Sequence, residues 1–181
     1  MKNIFDKEVT TATIARIQNL HPDCQPLWGK MEVAQMLAHC AVVYEIIYED
    51  SHPKPKGLKK WLLKTFVKNA VVNERPYKKN SRTAPEFLVT DPKNFETEKE
   101  RLITYLEKTQ ALGGTYFEGK EYPSFGVLSQ KEWNNLFYKH LDHHLNQFGV
   151  YLLGASFSHY CFAAPNTISS ATAWHFFATL A

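Results

Sequence analysis

Two histidines one helical turn apart, His140 and His144 in the string YKHLDHHLNQFGV, have the type and spacing of a metal-ligand pair. Residues i and i+4 of a helix stand about 5–6 Å apart at Cβ, so two imidazoles there can converge on one ion at about 2.0–2.1 Å. Their direction strengthens the reading. At about 100° per residue, with Trp133 at 0°, Phe137, Phe148 and Leu141 fall at about 40–80° and Leu136 and Gln147 at about 300–320°. His140 then lies at about 340° and His144 at about 20°, in the middle of the stripe that a helix buries. Asn135, Lys139, Asp142 and Asn146 fall on the opposite side, at about 180–240°, which predicts a solvated face. An unpartnered buried polar group costs about 1–3 kcal/mol, and a shared metal ion answers for both histidines at once.

Two ligands bind weakly, so a third is expected from another helix, and His39 in MLAHC is the best candidate. It sits at the edge of an apolar arc beside Met36 and Val43, and a histidine on each side of a helix–helix seam is how bundles build metal sites. The alternative for an isolated buried histidine is a hydrogen-bonded core residue. His143, at about 280° on the shoulder of the stripe, reads as a supporting or surface residue, with an His140/His143 pair as the remaining alternative. Gln147 either orients a ligand or packs at the helix end. His21 and His52 stand beside prolines in turns, and His159 and His175 lie near the C-terminus; none of these four is given a role. Cys40 follows His39 directly, but neighbours on a helix point about 100° apart, which favours a buried thiol over a Cys–His nucleophile pair. No CxxC pair, nucleophile elbow, phosphate loop or dinucleotide fingerprint is present.

The elements that must position these groups are helical. Apolar periodicity predicts helices over about 6–20 and 30–49, the second broken by the Ser-His-Pro-Lys-Pro stretch at 51–55. A shorter amphipathic helix is expected over about 58–71, with Trp61, Leu62, Thr65, Phe66 and Asn69 on its apolar side. A long connection, 73–91, follows; such loops are uncommon unless functional. Asp91 as N-cap and Pro92 at the first position open the next helix, which Gly113-Gly114 ends after Leu112. Beyond a Gly-, Pro- and aromatic-rich loop, a capping box of Ser129 and Glu132 starts the last helix, which Gly149 stops. No strand alternation and no internal repeat is visible. The fold class is therefore all-α, a four-helix bundle with an extra helical segment in a long crossover.

A chain of 181 residues, 44% hydrophobic and 22% charged, has the composition of one globular domain. The start lacks a signal-peptide pattern, no apolar run reaches membrane-span length, and the three scattered cysteines read as reduced thiols; a cytoplasmic location is expected. The net charge of +3 conceals an asymmetry. Between Ser51 and Pro85 stand ten basic residues against Glu74 alone, so the remainder of the chain is net negative. That segment is a solvated basic face or an anion-attracting rim, and no nucleic-acid module accompanies it. From His143 to Ala181 there is no Lys, Arg, Asp or Glu. Residues 1–150 are therefore read as the domain and 151–181 as an uncharged tail, either carrying an accessory helix around 167–180 or standing outside the fold.

WGKMEVAQMLAHCA at 28–41, the loop ending YPSFGVLS and KEWNNLFYKHLDHHLNQFGV resemble the DinB/YfiT-like superfamily of metalloenzymes, and most of all a small bacterial subfamily of unassigned function. The likeness covers roughly residues 5–150. It implies a DinB-like four-helix bundle in which one histidine of the second helix and an HxxxH on the last hold a divalent metal; carried over, these are His39, His140 and His144. Characterised members of that superfamily include thiol-S-transferases and isomerases using low-molecular-weight thiols, and the function expected here is that of a metal-dependent hydrolase or thiol-dependent transferase. Zinc or nickel suits an all-imidazole set. The expected partners are a small-molecule substrate and a second copy in a homodimer, without nucleic acid or membrane. Two other function classes remain beside this one: a non-catalytic metal- or anion-binding bundle or interaction module, and a nucleic-acid or membrane-surface contact through the basic segment.

Overall fold

The computed structural model describes residues 1–49 and 51–151 and is mostly helical, as the periodicity requires. Helix α1 spans Lys7–Gln18 and α2 Val33–Tyr48. Helices α3, Gly57–Leu62, and α4, Lys68–Val72, are joined by a π-helical turn, Leu63–Val67. A 3₁₀ turn at Pro85–Phe87 lies in the long connection, and α5 spans Phe95–Phe117. A two-residue antiparallel hairpin, β1 Glu121–Tyr122 and β2 Gly126–Val127, precedes α6, Gln130–Gln147. That hairpin is the strand pairing which the sequence periodicity did not show. The accessory helix read around 167–180 lies outside the described residues.

Helix α2 is the central element. Of its first thirteen residues only Gln35 is not buried, consistent with a helix apolar nearly all round. A capping box between Glu32 and Gln35 starts it at Val33, three residues later than expected. It packs against α5 and α6, and α5 against α1. Tyr44 stacks on Phe137 at 5.0 Å and Tyr105 at 5.8 Å, joining α2 to both neighbours.

Helix α5 begins later than the Asp91–Pro92 signal predicts, because the Asn94 side chain accepts the Thr97 N–H at 2.9 Å and is the operative cap. Gly113 does interrupt the helix, with φ of 70°. One further turn follows because Phe117 is fully buried against Phe5, Trp133 and Phe137. The Ser129–Glu132 capping box of α6 forms as read.

Two expectations about faces are corrected. The far side of α6 is covered, not solvated: Asn135 donates to the Val72 carbonyl at 2.8 Å, and the buried Lys139 ammonium donates to the carbonyls of Ala70 and Asn73. Asp142 pairs with Arg16 of α1 at 2.8 Å. Conversely, the apolar side of the basic helix is outside. Leu58 is 70%, Trp61 55% and Phe66 68% exposed, while Leu63 and Val71 turn inward. The lysine flank holds the segment to the body, Lys60 to Glu121 at 2.6 Å and Lys68 to Glu132 at 2.9 Å.

Candidate metal centre

The seam between α2 and α6 brings three imidazoles together. His39 projects from α2, and His140 and His144 project one turn apart from α6. His39 Nε2 stands 2.9 Å from His140 Nε2 and 3.0 Å from His144 Nε2. The ring centroids are 4.6–4.9 Å apart, and one ligand-capable atom of each residue lies within 4.8 Å of the others. These three histidines are thus a cluster that could hold a metal ion.

Hydrogen bonds behind the cluster fix which nitrogen carries a proton. The Phe87 carbonyl can only accept, so at 2.8 Å it takes the proton of His39 Nδ1. Gln147 donates through Nε2 to the Trp28 carbonyl at 2.6 Å, which turns its Oε1 toward His144 Nδ1 at 2.7 Å. That oxygen again can only accept. In the neutral rings, His39 Nε2 and His144 Nε2 are therefore both bare lone pairs, and they face each other across 3.0 Å. Two lone pairs so placed repel unless a cation lies between them.

Burial disfavours a proton as that cation. Desolvation lowers the pKa of His39, against a smaller opposing effect of the Phe87 hydrogen bond, and brings His144 down to about 3. His140 is lowered well below the usual histidine range by desolvation, then by the neighbouring imidazoles. His143 stands edge-on to His144 at 5.1 Å but does not join the converging set. Its ring stands edge-on to Trp28 at 5.8 Å and Tyr77 at 5.6 Å, forming a wall beside the cluster and not a corner of it.

The supporting residues come from loops that the helical-angle argument does not reach. The long 73–91 connection supplies the Phe87 carbonyl through its 3₁₀ turn, and the segment before α2 supplies that of Trp28. Gly29 permits the second contact: its φ is 83°, and a Cβ there would stand 2.7 Å from Gln147 Nε2. Gln147 itself was visible in sequence, three residues beyond His144 on the buried stripe.

The cluster opens into a cavity of about 560 Å³ walled by α2, α6, the α3–α4 segment, the 73–91 connection and the hairpin loop. His52 lines it, contrary to the reading that gave it no role, and donates to Glu45 at 2.7 Å; Arg101 holds the same carboxylate from behind. No sequence spacing announced that pair, because His52 reaches back to α2 from a proline turn. His21 lies outside the cavity, and His159 and His175 lie outside the described residues. Cys40 is a buried free thiol beside Met36, its pKa raised by desolvation, and so unsuited to nucleophilic work.

The sequence profile of a family described as a protein of unknown function, DUF1569, matches residues 5–150. The chain belongs to the DUF1569 family. The matched span contains the complete cluster together with Phe87, Trp28 and Gln147. Comparison with curated proteins and with solved structures gave no match. Among the described residues of this DUF1569 chain, no helix is long and apolar enough to cross a membrane.

Proposed function

We propose that this DUF1569 protein is a metal-dependent enzyme built on a DinB-like four-helix bundle, with α1, α2, α5 and α6 as the bundle and α3–α4 as the crossover. His39, His140 and His144 hold a divalent ion through Nε2. The observation that carries this reading is the pair of proton-free nitrogens of His39 and His144, facing each other at 3.0 Å with both Nδ1–H groups already committed. Ligands sharing a tetrahedral ion at about 2.0–2.1 Å stand about 3.3–3.4 Å apart, within a few tenths of an ångström of the observed spacing. The carbonyl–imidazole and amide–imidazole bonds are the outer contacts that orient metal-binding histidines.

Three protein ligands facing an open cavity match a catalytic centre better than a closed structural one. The donor set suits zinc or nickel. Such an ion, when bound, supplies Lewis acidity and lowers the pKa of a coordinated water or thiol. The protein's own residues do the rest. Phe87 and Gln147 hold the imidazoles in the ligating tautomer, the apolar walls limit water, and the cavity receives a small-molecule substrate. Hydrolysis or thiol-dependent group transfer is the reaction class proposed.

Elemental analysis of purified and zinc- or nickel-reconstituted protein tests the reading. One equivalent of metal is expected in the wild type and a loss of most of it in His39→Ala, His140→Ala and His144→Ala. A wild type that takes up no stoichiometric metal, or variants that retain it, would sink the proposal.

A further inference from the structure

The cavity is unusual in its charge. Its walls contain no Asp or Glu among the described residues, while Lys30, Lys54 and Arg82 stand on them together with five of the chain's eight histidines. Lys30 and Arg82 have no ion-pair partner among the described residues. Glu45, a carboxylate behind the wall, is already engaged by His52 and Arg101. Three neutral imidazoles also leave the double charge of a divalent ion uncompensated, in a space partly shielded from water where charges interact more strongly. Between this charge and the far wall the lining is apolar: Val43 and Ile46 of α2, Leu63, Val67 and Val71 of the crossover, and Leu136 of α6. A volume of about 560 Å³ lies within the range that encloses a drug-sized molecule.

We infer that the ligand of this centre is an anionic amphiphile, with a carboxylate- or phosphate-type head group and an apolar body along the α2–crossover wall. The inference rests on the metal reading for its full strength and deepens it by naming the substrate class. The segments around the cavity then divide the work: Lys30 before α2, Lys54 before the crossover and Arg82 after it place cations on the rim, the crossover's inward residues make the greasy wall, and no described carboxylate lines the cavity to compete with the anion.

The test is isothermal titration of zinc-loaded protein with four probes sharing a ten-carbon chain: decanoate, decyl phosphate, decanol and decyltrimethylammonium. Decanoate or decyl phosphate is expected to bind at least tenfold more tightly than the other two, the tighter of the pair identifying the head group. A Lys30→Gln/Arg82→Gln variant with unchanged metal content should lose several-fold in affinity for the anions and nothing for decanol. Val67→Trp, which fills the apolar wall at a half-exposed site, should weaken all binding chains together. Equal affinity for decanoate and decanol, or no effect of the double variant, overturns the inference. The same titration on metal-free protein separates the two readings. If the protein holds no metal but still prefers the anions in an Arg82-dependent way, the centre fails and the amphiphile site stands; if metal binds without any anion preference, the reverse holds.

Discussion

Helix α6 and the α3–α4 crossover were read by the same arithmetic and came out opposite. On α6 the stripe containing Trp133, Phe137 and Leu141 is buried and carries His140 and His144 into the seam with α2. On the crossover the stripe containing Trp61, Leu62 and Phe66 faces out, and the less conspicuous Leu63, Val67 and Val71 line the cavity. Two physical differences separate them. Helix α6 is capped, eighteen residues long and regular, so a period of 3.6 holds along it. The crossover contains a π-helical turn that changes the angular step midway, and its lysines are pinned to Glu121 and Glu132 on the body. Periodicity identifies an amphipathic face; what that face meets is decided by the residues on either side of it.

The contrast is sharpest in stability. Phe137→Ala removes a ring in contact with Phe5, Tyr44, Phe117 and Trp133, and a loss of about 3–5 kcal/mol is expected in chemical denaturation. A cost of no more than about 0.5 kcal/mol, the range of an ordinary surface change, would mean that the two stripes are not different in kind.

Mild acid acts on α6 and α2 before it reaches the crossover, whose lysine partners Glu121 and Glu132 are carboxyls held below their ordinary values. In metal-free protein the folded-state pKa values of His39, His140 and His144 lie below those of the unfolded chain. Below about pH 6.5 the unfolded state therefore binds protons that the folded state refuses. Stability should fall as pH drops through that window, for His144 continuing to about 3, with each histidine adding up to about 1.4 kcal/mol per pH unit. Urea titrations of apoprotein at pH 7 and pH 5 measure this, and His144→Gln should flatten the slope. A slope unchanged by that substitution would show that the buried cluster is not its source.

Next in size comes the orientation of the ligands. Gln147→Leu keeps the packing of the helix end but removes the acceptor for His144 Nδ1–H and the donor to Trp28. A loss of about 10–100-fold in zinc affinity is expected. Gly29→Ala should move the same way by a smaller factor, because its Cβ would displace the Gln147 amide. Competition with a chromophoric chelator gives both numbers. Unchanged affinity in Gln147→Leu would reduce the amide to packing, and the sequence had left that alternative open.

The features legible in sequence were those set by local geometry. The i,i+4 histidines, the Ser129 capping box and the Gly113 break each follow from residues within one or two turns, and each is where the local rule puts it. The features that were not legible depend on chain segments far apart. Asn135 and Lys139 are buried because α4 lays the carbonyls of Ala70, Val72 and Asn73 over them, more than sixty residues away in sequence. His52 looked idle in a proline turn and gained a partner only when the chain folded back on Glu45. Phe87 contributes a backbone oxygen, for which side-chain identity carries no signal. His39 lies between the two cases: its place at the edge of the α2 arc was readable, but its distance from α6 was not.

The smallest expected effect is the most searching for the comparison. Trp61 and Phe66 touch each other edge-on at 6.0 Å and are more than half exposed, so Phe66→Ser should change stability by no more than about 0.5 kcal/mol. Trp61→Ser should do the same, and neither should alter zinc affinity. Denaturation measured at two protein concentrations makes this decisive. If Phe66→Ser costs as much as a core substitution, and only at the higher concentration, then the outward stripe is buried in solution against a second copy of the chain. In that case α6 and the crossover obey one rule after all, their apolar faces differing only in whether the partner belongs to the same chain.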